Sequence, residues 1–259
     1  MKLAPVMFVG HGSPMFAIEA SLARELLQQQ QPEFSGVQAI VVVSAHWVTD
    51  GYTGVTYDEA PQTIHDFGGF PAALYQLSYP ASGQPSLAKA IEQQLLQSGY
   101  QAQLQSQRGL DHGAWVPLLH LVPKADIPVI QVSLNRYSSE EDVYRLGQTL
   151  SQLREQGVAV IGSGSLTHNL RDVIPGSQQA ADYVVKLEQW IREQIVNRDV
   201  QALLKVATLQ EDFARAHPTH EHYLPLLMAL GASQPRDQLT ILKGGVQHHA
   251  LSMESYVWH

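Results

Sequence analysis

The 259-residue chain reads as a single α/β domain, residues 1–259, built on a central mostly parallel or mixed sheet flanked by helices. Three observations predict it. Apolar runs of strand length recur at 6–9, 39–43, 127–134 and 158–161. Strands buried on both faces read this way, because neither face meets water. Segments with helical apolar spacing lie between the runs, so strand and helix alternate. No repeat, low-complexity stretch or linker divides that alternation.

Taken in order, 6–9 is the first strand, and 16–31 is a predicted helix with Ile18, Leu22, Leu26 and Leu27 inward, ended by Pro32. A second strand covers 37–44 and a more alternating one 52–57. Residues 58–84 form a long aromatic, glycine-rich loop, the kind that walls a binding site. Pro85 opens a helix with Leu87, Ile91 and Leu95 on one face, stopped by Gly99. A short strand follows at 100–105, a short apolar helix at 116–121 and a buried strand at 127–134. Ser138-Ser139-Glu140-Glu141 starts a capped helix whose inner stripe is Val143, Leu146, Leu150 and Leu153. After the strand at 158–161 come helices around 178–197 and 199–206, a short apolar helix ending at Leu230, and closing strands at 239–242 and 255–258.

Charge and composition exclude several classes. Charged residues make up 15% and hydrophobic ones 44%, ordinary for a globular chain, so disorder is not expected. A net charge of −8 with no Lys or Arg run argues against nucleic acid as a partner. The apolar N-terminal run is broken by Pro5 and is too short for a signal peptide or membrane span, so the expected location is cytoplasmic, with no membrane partner. Cysteine is absent, which removes disulfides, thiolate metal sites and a cysteine nucleophile.

Histidine is the anomaly, with 12 in the chain, several in turns. Gly10-His11-Gly12-Ser13 follows the first strand, Ser44-Ala45-His46-Trp47 the second, and Thr167-His168-Asn169 the strand at 158–161. In such sheets the binding crevice lies outside the carboxyl ends of the strands. Histidines delivered there suit a metal; without thiolates, imidazoles favour Zn, Fe, Ni or Cu over Mg or Ca. A further ligand lies among His217, His220 and His222, where spacing alone cannot choose; Glu221 would instead complete a two-His, one-carboxylate set. In Asp111-His112-Gly113 the carboxylate orients an acid/base imidazole or else merely caps a helix. His65 lines the pocket or packs its loop. His248, His249 and His259 lack comparable context. Gly162-Ser163-Gly164-Ser165 has neither the Lys of a phosphate loop nor the closing glycine of a nucleophile elbow.

Together, Gly10-His11-Gly12-Ser13-Pro14-Met15, Val43-Ser44-Ala45-His46-Trp47, Thr63-Ile64-His65-Asp66-Phe67-Gly68-Gly69-Phe70-Pro71, Asp111-His112-Gly113-Ala114-Trp115, Thr167-His168-Asn169-Leu170-Arg171 and Glu221-His222-Tyr223-Leu224-Pro225 resemble, in order, the class III extradiol ring-cleavage dioxygenases of the LigB superfamily. The branch is that of the 4,5-DOPA dioxygenase extradiol-like proteins, and the resemblance runs nearly end to end.

It implies one divalent metal per chain, Zn(2+) or Fe(2+), bound by His11, His46 and His222. His168 would be an added ligand or the acid/base residue, and His112 would contact substrate or dioxygen. Relatives in the superfamily carry a glutamate as third ligand, which keeps Glu221 as a rival; His217 and His220 are additions to the pattern. The implied partners are a catechol such as L-DOPA, and O2. His168 or His112 accepts a catechol proton and later delivers one as the ring opens beside the diol to a muconic semialdehyde. Trp47, Phe67, Phe70 and Trp115 suit a flat ring. Two other readings stand beside this one: a zinc-dependent hydrolase or lyase on a small molecule, and a non-catalytic metal-binding module.

Overall fold

Apolar residues on both faces of the central strands let helices close over a sheet from either side. In the computed structural model, which describes residues 3–177 and 179–259, the strands are β1 (Val6–Gly10), β2 (Ala39–Thr49), β3 (Thr53–Thr56), β4 (Ala102–Gln105), β5 (Val129–Asn135), β6 (Val158–Gly164), β7 (Leu239–Leu242), a hairpin of β8 (Val246–Gln247) and β9 (Leu251–Ser252), and β10 (Ser255–Trp258). All but the hairpin share an eight-stranded sheet ordered β4-β3-β5-β2-β6-β1-β10-β7. The inner strands β5, β2, β6 and β1 run parallel; β3 and β10 pair antiparallel to them. The sheet is therefore mixed, with a parallel centre.

The helices are α1 (Leu22–Gln28), α2 (Ala72–Tyr75), α3 (Pro85–Gln97), α4 (His112–Leu121), α5 (Glu140–Leu150), α6 (Asp182–Asn197), α7 (Val200–Leu204), α8 (Val206–Leu209), α9 (Phe213–Ala216) and α10 (Leu224–Ala232). Strand alternation divides them into two layers. Val6, Phe8, Val41 and Val43 face α3, α5, α6 and α10. Met7, Val9, Ile40 and Val42 face α1 and α4. The α6 helix expected from 178 begins at Asp182, and Gln178 itself lies outside the described residues. Among the described residues no helix is long and apolar enough to cross a membrane.

Three elements differ from the sequence reading. The helix at 16–31 breaks into a 3-10 turn, Pro14–Ala17, and α1, because Ser21 accepts the Arg24 N–H and starts a new helix there. Strand β2 does not end at 44 but runs to Thr49, its register against β5 shifting between Val43 and Val48. That bulge re-aims the side chains that follow Val43. Helix α4 starts at His112 rather than 116, since Asp111 caps it by accepting from Ala114 N. At α5 the capping box forms between Ser139 and Asp142.

Helix α10 carries the last motif and packs unusually close to β6 and α5. A Cβ on Gly164 would lie 2.2 Å from the His222 carbonyl oxygen, and one on Gly147 1.9 Å from that of Met228. Only glycine permits either approach. Gly147→Ala raises intrinsic helix propensity by about 1 kcal/mol, yet it drives a methyl into backbone that has no room to yield. The expected net effect is destabilisation of about 1–3 kcal/mol, seen as a melting temperature lower by roughly 2–10 °C. An unchanged or raised melting temperature in a calorimetric scan would contradict this packing.

Candidate metal centre and substrate cavity

The carboxyl ends of β1 and β6 are tied together before any side chain is considered. His11 N–H donates to the Gly164 carbonyl (3.0 Å), and Ser165 N–H to that of His222 (2.9 Å). These bonds bring His11, just after β1, and His222, two residues before α10, to one point. His46 arrives from the bulge of β2. Its N–H donates to Ser44 Oγ (3.1 Å), which donates to Asp111 Oδ1 (2.7 Å). Gln131 and Arg108 donate to the other oxygen of Asp111. Buried Asp111 is thus the anchor that holds the bulge and α4 together.

Three imidazoles converge. His46 Nε2 lies 3.0 Å from His11 Nε2 and 3.3 Å from His222 Nε2. Hydrogen bonding assigns two of the tautomers. The Ser163 hydroxyl donates to the Gly113 carbonyl, so it accepts from His11 Nδ1–H (3.0 Å). Glu221 Oε1 is 3.1 Å from His222 Nδ1, and a carboxylate only accepts. Both rings therefore turn a bare Nε2 lone pair inward. Burial, then neighbouring imidazoles, holds His11 and His222 well below the ordinary imidazole pKa, and His46 is lowered to about 3, by burial first and His112 second. Neutral imidazole is the metal-binding form.

This donor set fits a cation. Ligand nitrogens about 2.1 Å from one ion stand about 3.0–3.4 Å apart at angles of about 90–109°, which is the spacing seen. The lone pairs of His11 Nε2 and His222 Nε2 both face this point, and a cation there would take both. The outer bonds to Ser163 and Glu221 are those that orient metal-binding histidines. Thiolate-free, the set could hold Zn(II) or Fe(II).

Two more imidazoles border this point. The His112 ring centroid is 3.9 Å from that of His46. Its Nδ1 and its backbone N–H both meet Asp66 Oδ1, at 3.0 and 2.9 Å. Burial pushes the Asp66 carboxyl up, but these bonds outweigh it and bring the group to about 2. With Nδ1–H committed, His112 presents Nε2 as an acceptor. His168 stacks flat on His222, centroids 3.4 Å apart and planes within 4°. Burial lowers its pKa to about 4. His168, Glu221 and His222 form a second group whose ligand atoms lie within 4.8 Å.

Beside these rings opens a cavity of about 570 Å3, lined by Phe67, Phe70, His46, His112, His168 and Leu251 among others. Phe67 and Phe70 meet the expectation of an aromatic wall. Trp47 and Trp115 do not line it: Trp47 is buried under Arg108 and against Gly54, and Trp115 donates to the Ile64 carbonyl beneath the loop.

The family is legible at sequence level as well. Residues 10–257 match the catalytic LigB subunit of aromatic ring-opening dioxygenases. The chain belongs to the LigB family. This LigB-family chain is 39% identical to the 4,5-DOPA dioxygenase extradiol of Escherichia coli K12, over 97% of its own length and 93% of that protein's. It is 37% identical to the protein of the same name from Beta vulgaris, over 98% and 96%. Its fold superposes on the crystal structure of an uncharacterized Escherichia coli K12 protein with a TM-score of 0.83 at 31% identity, covering 99% of both chains.

The fold of the LigB chain also separates the histidines that spacing left equivalent. Of the triple before α10, only His222 joins His11 and His46. His217 is buried with Nε2 on the Leu166 carbonyl (2.9 Å), and His220 is half-exposed beside Glu140. Glu221 contacts the His222 ring on its outer nitrogen. His65 bonds the Leu77 carbonyl and packs its loop. Two residues went unread. Asp66, not Asp111, orients His112; its only signal was a carboxylate in the long aromatic loop. His248 lines the cavity although nothing around it in sequence marks it.

His217 also sets an acid sensitivity. Burial lowers its pKa from 6.5 to about 4. Between those values the unfolded chain binds a proton that the folded chain refuses, so stability falls as pH falls through that window. Going from pH 7 to 5, His217 should account for about 2 kcal/mol of the loss. With a chelator present, His217→Gln should lose that much less stability than the parent in urea titrations at the two pH values. Equal losses would show that His217 takes no part.

Proposed function

We propose that this LigB-family chain is an extradiol dioxygenase that opens a catechol beside its diol, with dioxygen, at one Fe(II) held by His11, His46 and His222. The observation that carries this reading is the convergence of three imidazole nitrogens at the end of an aromatic-walled cavity bordered by two further imidazoles. When bound, the metal would hold and polarise both reactants and carry the electron transfer between them. Zn(II) fits the same nitrogens but has no redox chemistry, so Fe(II) is the functional ion here.

The chain's own residues do the rest. Phe67 and Phe70 hold the flat ring and exclude water from it. His112 takes a catechol hydroxyl proton on Nε2, and Asp66 stabilises the imidazolium through Nδ1–H. His168 is assigned to acid/base work rather than ligation. Its ring stacks flat on that of His222 and is not among the three, His11, His46 and His222, whose ring nitrogens converge and would hold the metal. Kept neutral by burial, His168 can accept the second catechol proton and return it as the ring opens.

The names of the relatives make L-DOPA the first substrate to try, with 4,5-cleavage giving a muconic semialdehyde. Apoprotein reconstituted anaerobically with Fe(II), then mixed with L-DOPA and oxygen, should develop the yellow absorbance of that product. No colour across a catechol panel, together with a hydrolytic activity restored by zinc, would replace this reading with the hydrolase one.

A further inference from the structure

The cavity is lined by more than the imidazoles His46, His112 and His168. At about 570 Å3 it is in the range that takes a drug-sized ligand, more than a bare catechol needs. Its lining includes the apolar side chains of Met15, Leu170, Val173 and Pro175, with Leu170 66% exposed. Among the described residues lining it there is no Asp, Glu, Lys or Arg. Besides the imidazoles near the candidate metal centre, the polar side chains in the lining are Ser13 and His248.

His248 sits at the tip of the β8–β9 hairpin, and Leu251 of that hairpin bridges His168. His248 and His249 both hold left-handed backbone, φ +51° and +74°. The tip is stapled to the loop that supplies Leu170, Val173 and Pro175. Ile174 N–H donates to the His248 carbonyl (2.9 Å), and Ala181 N–H to that of His249 (3.0 Å). Gly176 N–H donates to His248 Nδ1 (3.1 Å). An accepting Nδ1 places the ring proton of the neutral imidazole on Nε2. No group among the described residues accepts from Nε2–H.

We propose that His248 is a specificity-determining residue and that the substrate is a catechol bearing an apolar arm that ends in a hydrogen-bond acceptor, a carboxylate or carbonyl. This rests on the ring-opening reading above. The arm lies along Leu170, Val173 and Pro175, and its terminal oxygen accepts from His248 Nε2–H. An ammonium finds no carboxylate on this wall and loses hydration on entering. A zwitterionic amino-acid arm satisfies the donor with its carboxylate and leaves its ammonium unpaired, so it ranks between.

The test uses the metal-loaded enzyme with 3-(3,4-dihydroxyphenyl)propionate, 4-propylcatechol and dopamine, measuring kcat/KM and, anaerobically, binding by calorimetry. The propionate should exceed 4-propylcatechol about tenfold, the scale of one hydrogen bond to a charged group, and dopamine should be the poorest. His248→Gly suits the left-handed backbone and should bring the propionate to within about twofold of 4-propylcatechol, the loss falling more heavily on the propionate. Equal kcat/KM for the three arms in the parent, or an equal loss on all three in the variant, would overturn the assignment while leaving ring opening intact. If no catechol binds or reacts, both readings fall together.

Discussion

Replacing His222 by Ala is expected to empty the site of metal and remove ring opening altogether. Of the three histidines before and at the start of α10, His222 alone turns a bare Nε2 toward His46 (3.3 Å). Losing it leaves two of the three converging nitrogens. Glu221 lies on the outer nitrogen of the same ring, and its replacement by Gln provides a graded comparison. Removal of an outer hydrogen-bond partner costs about 10–100-fold in metal affinity; removal of the ligand should cost far more. Metal content after dialysis, followed by competition with a calibrated chelator, reads both. His217→Gln and His220→Ala should keep a full complement of metal. A His222→Ala protein that retains metal at parental affinity would sink the three-histidine assignment, and a larger loss from Glu221→Gln would make the carboxylate the ligand.

The second large effect belongs to His168. Its replacement by Ala should lower kcat by about 10²–10⁴, the usual contribution of a positioned acid/base group, with metal content and anaerobic catechol binding unchanged. The prediction follows from the flat stack of His168 on His222, which leaves His168 beside the three converging histidines and not among them. The two expected roles give opposite readouts. Loss of metal together with activity identifies His168 as a ligand; loss of activity alone identifies it as acid/base. Full activity would show it has neither role.

Much of this was legible in the chain. Runs such as 39–43 and 158–161 read as strands buried on both faces, and the histidines after them were placed at the crevice outside the strand ends. Less visible was where β2 ends. Its apolar run stops at Val43, but the strand continues because Asp111, distant in sequence, holds Ser44 and, through it, His46 N–H. The paired residues Asp111 and His112 misled for a related reason. Adjacent residues at a helix start point in different directions, so Asp111 capped α4 and anchored the bulge while the ring was left to Asp66, 46 positions away. Trp47 and Trp115 had the right chemistry for a ring-binding wall, yet composition does not say which side of a loop an indole occupies.

Local pattern and chain chemistry alone determined the α/β class, the helical layers, the thiolate-free imidazole centre and the candidates His11, His46, His112 and His168. Their signals lie within a few residues of each other, where strand period and turn chemistry operate. Spacing left His222 level with His217 and His220 and the family resemblance singled it out; only the tertiary structure showed how it meets His11 and His46, that Asp66 sets the tautomer of His112, and that His248 lines the cavity. Each of those depends on two segments far apart in sequence meeting at a particular backbone approach. For His222 that approach is the glycine contact of Gly164 against its carbonyl, a distance that no spacing in the sequence encodes.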